Sequence, residues 1–413
     1  MKFERRNLRR ALASGVACVL LASLTACRPG TLVAPAPTRP ATVQMEVPTA
    51  TPTFTVTVTP TLSPTPTAIT IPAPTSDAAL VRGPYLQSVT SSSIIVVWET
   101  ERDSPGEVAY GVTGEYGSVV TDTAVGTRHA ITIAGLAPYT VYHYRAQSGS
   151  APLSGDERFR TAAGPGQPFT FAVFGDTRTQ HEIHRAVVER IGAQQPDFVL
   201  HTGDLVEDAR SIGQWENFFA IERDLMARAP LFPMPGNHEL NSSHYFDLFY
   251  LPGNEHWYTF DYGDVRFVCL QVDGLTPFGP QSEQYAWLEA TLAINTQPWL
   301  FVAFHVPPYG SVQDVLEEDV RRALTPLFER YGVDIVFNGH NHNYERNEVN
   351  GITYVVTGGG GAGLYAMQEQ EPTQAAFALA HHFVLLQVDG RRLEATAISI
   401  DGTMLDSFER STD

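Results

Sequence analysis

Five short apolar runs, each ending at a residue that can bind a metal, constrain this chain more than anything else in it. The run 169–174 ends in Gly175-Asp176, the run 197–202 in Gly203-Asp204, and the run 231–235 in Gly236-Asn237-His238-Glu239. The run 299–304 ends at His305, and 334–338 leads into Gly339-His340-Asn341-His342. Short apolar runs bounded by glycine read as buried strands. Between some of them, apolar residues recur at helical spacing, as in Ile183, Val187, Ile191 and in Tyr285, Leu288, Leu292. Strand, helix, strand is an α/β layout, and sites in such sheets collect at the carboxyl ends of the strands. Asp, Asn and His together suit divalent or trivalent first-row metals rather than calcium alone or a thiolate site. Two metals ~3.5–4 Å apart need a bridging carboxylate with neutral ligands on each side, and the chain supplies both. A lone Gly-Asp is usually a turn; the order and spacing of all five pieces carry the signal.

Composition removes competing chemistries. A chain of 413 residues is too long for one ordinary core, so two domains plus a tail are expected. A net charge of −18 opposes a nucleic-acid scaffold role. Lys2 is the only lysine, which excludes a Walker-type phosphate loop, a lysine nucleophile and Schiff-base chemistry. Three cysteines make neither a disulfide framework nor a Cys-based zinc site, and Cys269 reads as a small buried hydrophobe. The glycines from Gly358 to Gly361 lack a following lysine and read as a loop of close approach, not a nucleotide cradle.

The N-terminus reads as an address. Lys2, Arg5, Arg6, Arg9 and Arg10 precede an apolar stretch too short to span a bilayer comfortably. Leu24-Thr25-Ala26-Cys27 then resembles the bacterial lipobox, so residues 1–27 are expected to be a lipoprotein signal. Lipidated Cys27 would anchor the chain in a bacterial cell envelope, facing outside the cytoplasm. Acyl chains would do the holding, since the acidic surface is repelled by anionic lipid. Residues 28–77 are Thr- and Pro-rich without a period that could bury a face, so they read as a disordered, extended tether.

Residues 78–163 alternate in the manner of strands, with Trp98 as a core anchor. The spacing of Leu136, Pro138, Thr140, Tyr142 and Tyr144 resembles fibronectin type III domains, with Tyr142 placed as a tyrosine corner. His129 and His143 read as ordinary strand residues.

Through Gly339-His-Asn-His-Asn-Tyr-Glu-Arg346 and the run 351–359, the segment 166–410 resembles the calcineurin-like metallophosphoesterases. Within them it is similar to the purple acid phosphatase branch, where a β-sandwich also precedes the catalytic domain. The resemblance implies an α/β (α+β sandwich) metallophosphoesterase domain with two metal ions (Fe, Zn or Mn). It implies that Asp176, Asp204 and His342 hold the first metal and that Asp204 bridges. It gives Asn237, His305 and His340 to the second metal, and makes His238 the catalytic histidine that is not a ligand.

Two departures from the family stand out. Arg178 occupies the position where the superfamily has a histidine ligand, and Glu207 the position of the purple branch's tyrosine. Glu207 either completes the first site or belongs to a solvated acidic loop with Asp208. Arg178 either clamps a substrate phosphate oxygen or is a surface arginine. Glu239 either orients His238 or faces solvent.

The expected reaction is hydrolysis of a phosphate monoester, a small molecule, with metal-activated hydroxide as nucleophile and His238 protonating the leaving alkoxide. Lowering the pKa of water from 15.7 to ~7 is the larger contribution, and general acid catalysis adds ~10²–10⁴-fold. A phosphodiesterase or nucleotidase on the same site is the first alternative, and a degenerate binding module the second. Substrate, metal pair and oligomeric state are not legible in the residues.

Overall fold

The computed structural model describes residues 78–312 and 315–412. The signal segment, Cys27 and the tether lie outside the described residues. Among the described residues no helix is long and apolar enough to cross a membrane.

The chain begins with strands β1 (Leu80–Gln87), β2 (Ser93–Gly111), β3 (Ser118–Ala134), β4 (Val141–Ser148), β5 (Ala151–Pro152) and β6 (Glu157–Arg160). They form one antiparallel network in which β2 pairs with β1, β3 and β4. Trp98 is fully buried there, its ring 5.0 Å from the His129 ring. The Ala137 amide donates to the Tyr142 hydroxyl at 2.9 Å. His143 is tied locally to Asp156 at 2.8 Å. Buried polar contacts fasten this layer to the segment beyond residue 166. The Tyr85 hydroxyl donates to the Leu248 carbonyl and the Tyr144 hydroxyl to that of Ala227, each at 2.7 Å.

The rest of the chain alternates strands and helices. In order these are β7 (Phe169–Phe174), α1 (His181–Gln194), β8 (Phe198–His201), α2 (Ile212–Met226), β9 (Leu231–Pro233), α3 (Ser243–Leu248), β10 (Tyr258–Tyr262), β11 (Val265–Cys269), α4 (Glu283–Ala293), β12 (Trp299–Ala303) and α5 (Val315–Tyr331). Then come β13 (Ile335–Asn338), β14 (Tyr344–Val349), β15 (Ile352–Thr357), β16 (Gln374–Ala378), β17 (His382–Asp389), β18 (Arg392–Ser399) and β19 (Met404–Ser411). They build a sheet in the order β19-β18-β17-β7-β8-β9 and a second in the order β10-β11-β12-β13-β15-β14-β16. Strands β7, β8 and β9 are parallel, as are β11, β12 and β13.

Residues on successive strand positions face opposite sides, and both faces are apolar here. Phe267, Cys269, Phe301 and Phe337 join one core with Phe171 and Phe198 of the other sheet. Their neighbours Val268, Leu300, Val302 and Val336 join a second core with Leu288 and Leu292 of α4 and Val320, Leu324 and Leu327 of α5. Phe171 lies parallel to its strand neighbour Phe198 at 5.0 Å and edge-on to Phe267 of the other sheet at 5.3 Å, both favoured ring arrangements. Truncating such a side chain to alanine costs about 3–5 kcal/mol. Cys269 is enclosed in this layer, and burial pushes its thiol up to about 12.

Candidate metal centre

Parallel strands put their carboxyl ends on one edge, and each expected ligand stands just past such an end. Asp176 follows β7, Asp204 follows β8, Asn237 follows β9, His305 follows β12, and His340 and His342 follow β13. The turns there are tight enough to hold Asp176, Asp204 and His340 at φ values of 60°, 55° and 68°. That region is sparsely populated for residues with a Cβ and costs about 1–3 kcal/mol each. Backbone bonds hold it: the Asp176 amide donates to Gly203 and the Ala362 amide to Asp176, at 3.0 and 2.7 Å. The glycine before Asn237 is a matter of space. A Cβ on Gly236 would sit 2.3 Å from Asp204 Oδ1.

Asp176, Asp204 and His342 are all buried and offer ligand atoms within 4.8 Å of one another. His342 Nε2 stands 3.4 Å from Asp176 Oδ1, and that oxygen is buried without a hydrogen-bond partner. A buried carboxylate oxygen left unpaired is costly, and a cation is the natural compensation. On the other side His305 Nε2 lies 3.4 Å from Asp204 Oδ1 and 3.0 Å from Asn237 Oδ1. His340 Nδ1 lies 3.1 Å from the same Asn237 oxygen and 3.3 Å from His305 Nε2.

The tautomers follow from the outer bonds. His305 Nδ1 donates to the Thr202 carbonyl at 2.8 Å and His342 Nδ1 to that of Gly363 at 2.6 Å. Each Nε2 therefore points a lone pair at carboxylate or amide oxygens. Acceptors facing acceptors at this range repel one another. Four ligands around an ion at ~2.0–2.1 Å stand roughly 3.4 Å apart, so a cation turns this repulsion into binding. The donor set fits metal, and Asp204 is shared by both groups as a bridging carboxylate is. Burial raises the Asp204 carboxyl and lowers the His305 imidazole to about 4, which keeps that ring neutral and able to ligate.

The structure does not bring Glu207 into the triad, and Arg178 stands beside Asp204 at its edge. The two hold each other: Arg178 Nη1 donates to Glu207 Oε2, while Arg178 Nε lies 3.3 Å from Asp204 Oδ2. This pair keeps Glu207 away from the ligand group and leaves Arg178 half-buried. The cause is charge, since a half-buried guanidinium between two carboxylates takes both. His238 is at the rim. Its Nδ1 donates to the Glu207 carbonyl at 2.6 Å, and its Nε2 stands 3.9 Å from Asp204 Oδ2.

Glu239, His201 and Tyr365 stand around the candidate ligands. Glu239 is fully buried, and its carboxylate accepts the amides of Asp204, Leu205 and Gly236 at 2.8, 2.9 and 2.6 Å. It neither orients His238 nor faces solvent. Burial and the Asp204 charge raise it to about 8. His201 is buried against Thr177 at 3.2 Å, and desolvation keeps it neutral. Tyr365 stacks on His342 with ring centres 3.9 Å apart, and its amide donates to the His342 carbonyl at 2.9 Å. The spacing of three from Gly236 to Glu239, which lets the glutamate reach back to the Gly236 amide, was the one available signal for Glu239. No signal in sequence pointed to Tyr365.

The end of the Gly-His-Asn-His motif is architectural. The Tyr344 hydroxyl donates to Asp406 at 2.7 Å, Arg346 binds the same carboxylate, and buried Glu345 accepts the Ser311 amide at 2.9 Å. The loop of Gly358 to Gly361 closes on Asp176: a Cβ on Gly358 would meet Asp176 Oδ2 at 2.7 Å. His184 and His256 are occupied by Glu222 and Gln271.

The two sheets form a metallophosphoesterase fold, and residues 169–344 match the family model described as calcineurin-like phosphoesterase. Beyond that match, the chain is similar in sequence to purple acid phosphatases. It is 28% identical over 366 residues to "Probable inactive purple acid phosphatase 1" of Arabidopsis thaliana, covering 70% of this chain and 58% of that one. It is 31% identical over 229 residues to "Nucleotide pyrophosphatase/phosphodiesterase" of Hordeum vulgare, covering 44% and 62%. The chain thus spans about three fifths of the length of these curated relatives. Among solved structures, purple acid phosphatase PPD1 from yellow lupin (Lupinus luteus) seeds superposes with a TM-score of 0.71 at 24% identity, covering 80% of this chain and 75% of that one.

Proposed function

We propose that this protein is a two-metal hydrolase of phosphate monoesters, working outside the cytoplasm from a lipid anchor at Cys27. The observation that carries the hydrolase reading is the set of acceptor atoms on Asp204, Asn237 and His305 that face one another beside the unpaired oxygen of Asp176. Such a set is destabilising unless it serves a cation. Asp176, Asp204 and His342 would hold one ion, and Asp204, Asn237, His305 and His340 the other. Bound ions of the iron, zinc or manganese kind supply Lewis acidity toward phosphoryl oxygens and a nucleophile from water.

The chain's own residues do the rest. Thr202 and Gly363 fix two imidazoles by their Nδ1 hydrogens, so that Nε2 faces inward in each. His238, with its Nδ1 hydrogen on the Glu207 carbonyl, has Nε2 available to hand a proton to the leaving alkoxide oxygen. Arg178 places positive charge beside Asp204 at the edge where a phosphoryl group enters. The strands of residues 78–163, read as a fibronectin type III-like sandwich, carry no ligand and serve as a support.

The test compares nitrophenyl phosphate, bis-nitrophenyl phosphate and an alkyl phosphate on metal-loaded protein, with metal content measured alongside. Monoester turnover with about two ions per chain supports the reading. Preference for the diester supports the second reading, toward which the name of the barley relative points. Absent metal and absent turnover would make the chain a binding module, in keeping with a relative called probably inactive. His238→Ala should impair the alkyl ester far more than the nitrophenyl ester, whose phenolate leaves without a proton. For the anchor, Cys27→Ser should release the protein from the membrane fraction or leave its signal uncleaved.

A further inference from the structure

We propose that the crevice between β6, α1 and α2 is a second binding site, for a multivalent phosphate, separate from the metal centre. The crevice has a volume of about 690 Å³, and five arginines line it. Arg158 and Arg160 come from β6, Arg185 from α1, Arg223 from α2 and Arg228 from just beyond α2. In a chain of net charge −18 this concentration of guanidinium runs against the overall balance.

Two of the five are committed. Arg160 pairs with Asp197 at 2.9 Å and lies over the Tyr139 ring, and Arg228 pairs with Glu157 at 3.1 Å. Arg158, Arg185 and Arg223 have no ion pair among the described residues, and the remaining wall carboxylates, Glu189 and Asp224, pair with none of them. The wall therefore carries five positive and three negative side chains. A guanidinium presents its donors in a planar fork that matches phosphate oxygens two at a time. A single exposed arginine is screened within ~8 Å at physiological salt, so binding needs several on one ligand. The volume falls within the ~300–1,000 Å³ of small-molecule sites and exceeds what one phosphate fills, which points to a ligand with two or more phosphate groups.

The position separates this site from catalysis. Asp197, in the crevice wall, precedes β8 and accepts the Thr170 amide at the start of β7. Asp176 and Asp204 lie past the opposite ends of the same two strands. Six residues of β7 at ~3.3 Å each put roughly 20 Å between the two ends. A small phosphate ester therefore cannot occupy both.

The chemistry is shared by soluble oligophosphates and by anionic lipid headgroups, and the experiment separates them. Full-chain protein dialysed against EDTA, which removes hydrolysis and the pull of the metal centre, is titrated by calorimetry with tripolyphosphate. In parallel it is titrated with short-chain cardiolipin, an anionic lipid whose headgroup carries two phosphates, below its micellar concentration. Saturable binding of either probe, weakened about tenfold or more by Arg185→Ala/Arg223→Ala and kept by Asp176→Asn, supports the site. The probe that binds names the source. Partial recovery in Arg185→Lys/Arg223→Lys, with unchanged melting temperature in all variants, excludes a folding artefact. No saturable binding of either probe, or binding lost in Asp176→Asn and kept in the double variant, would overturn the proposal. Because no arm reads hydrolysis, either result leaves the phosphatase reading standing or falling on its own test.

Discussion

Glu239 holds the backbone of Asp204: its Oε2 accepts the Asp204 amide at 2.8 Å, and its Oε1 the Leu205 amide at 2.9 Å. The Asp204 carboxylate sits on a turn with φ of 55°, and this buried side chain is what ties that turn to the loop bearing Asn237. Glu239→Gln sets an NH₂ group against one of these amides. Each amide left unsatisfied costs about 1–3 kcal/mol. The variant should melt earlier and bind metal about 10–100-fold more weakly, while keeping all six candidate ligand side chains. Metal affinity within twofold of wild type would show that the turn holds without it.

The Arg178–Glu207 pair makes a second forecast. Because the Glu207 carboxylate is taken by Arg178, Glu207→Ala should leave metal content unchanged. Arg178→Ala removes the positive charge beside Asp204 and should raise KM about tenfold, roughly 1.4 kcal/mol, with a smaller effect on kcat. Loss of one ion in Glu207→Ala would return that residue to the ligand set.

Colour tests the absent tyrosine ligand. Tyr344 is committed to Asp406, and Tyr309 packs on Tyr354 with Arg321 over its ring, so neither reaches the site. Tyr365, stacked on His342, is the phenol on the site wall. Iron-loaded, oxidised protein should lack a strong visible band. A band abolished by Tyr365→Phe and kept by Tyr309→Phe would refute this and make Tyr365 a ligand.

Acid should destabilise the fold through His382. It is fully buried, bonded to the Ala380 carbonyl at 2.9 Å and to Thr357 at 3.1 Å, and burial lowers it to about 4. Its folded pKa lies below the unfolded value of about 6.5, so the unfolded chain binds more protons between those limits. Stability is therefore present above pH ~6.5 and lost as pH falls toward ~4, at up to about 1.4 kcal/mol per pH unit for this group. His382→Gln should flatten the fall of chemical-denaturation stability between pH 6.5 and 4.5. An unchanged slope would show that His382 is not the titrating group.

The positions of the ligands were legible in sequence because short buried strands must end in turns. A glycine followed by Asp, Asn or His at the end of an apolar run can only present that side chain at a strand's carboxyl edge. Cys269 and the pattern of β11 and β12 were legible for the same reason, as strands buried on both faces. The direction of side chains in the loops beyond those ends was not. Whether Glu239 points to solvent or inward depends on three amides brought from two separate turns. Whether Glu207 meets a metal or Arg178 depends on charges 29 residues apart that only folding puts in contact. Tyr365 reaches His342 because the glycine loop doubles back over Asp176, a path set by close packing rather than by any local period. Local sequence determined which residues stand at the strand ends, because backbone geometry is periodic; tertiary structure alone decided how they pair, because charge and burial act between segments that the sequence keeps apart.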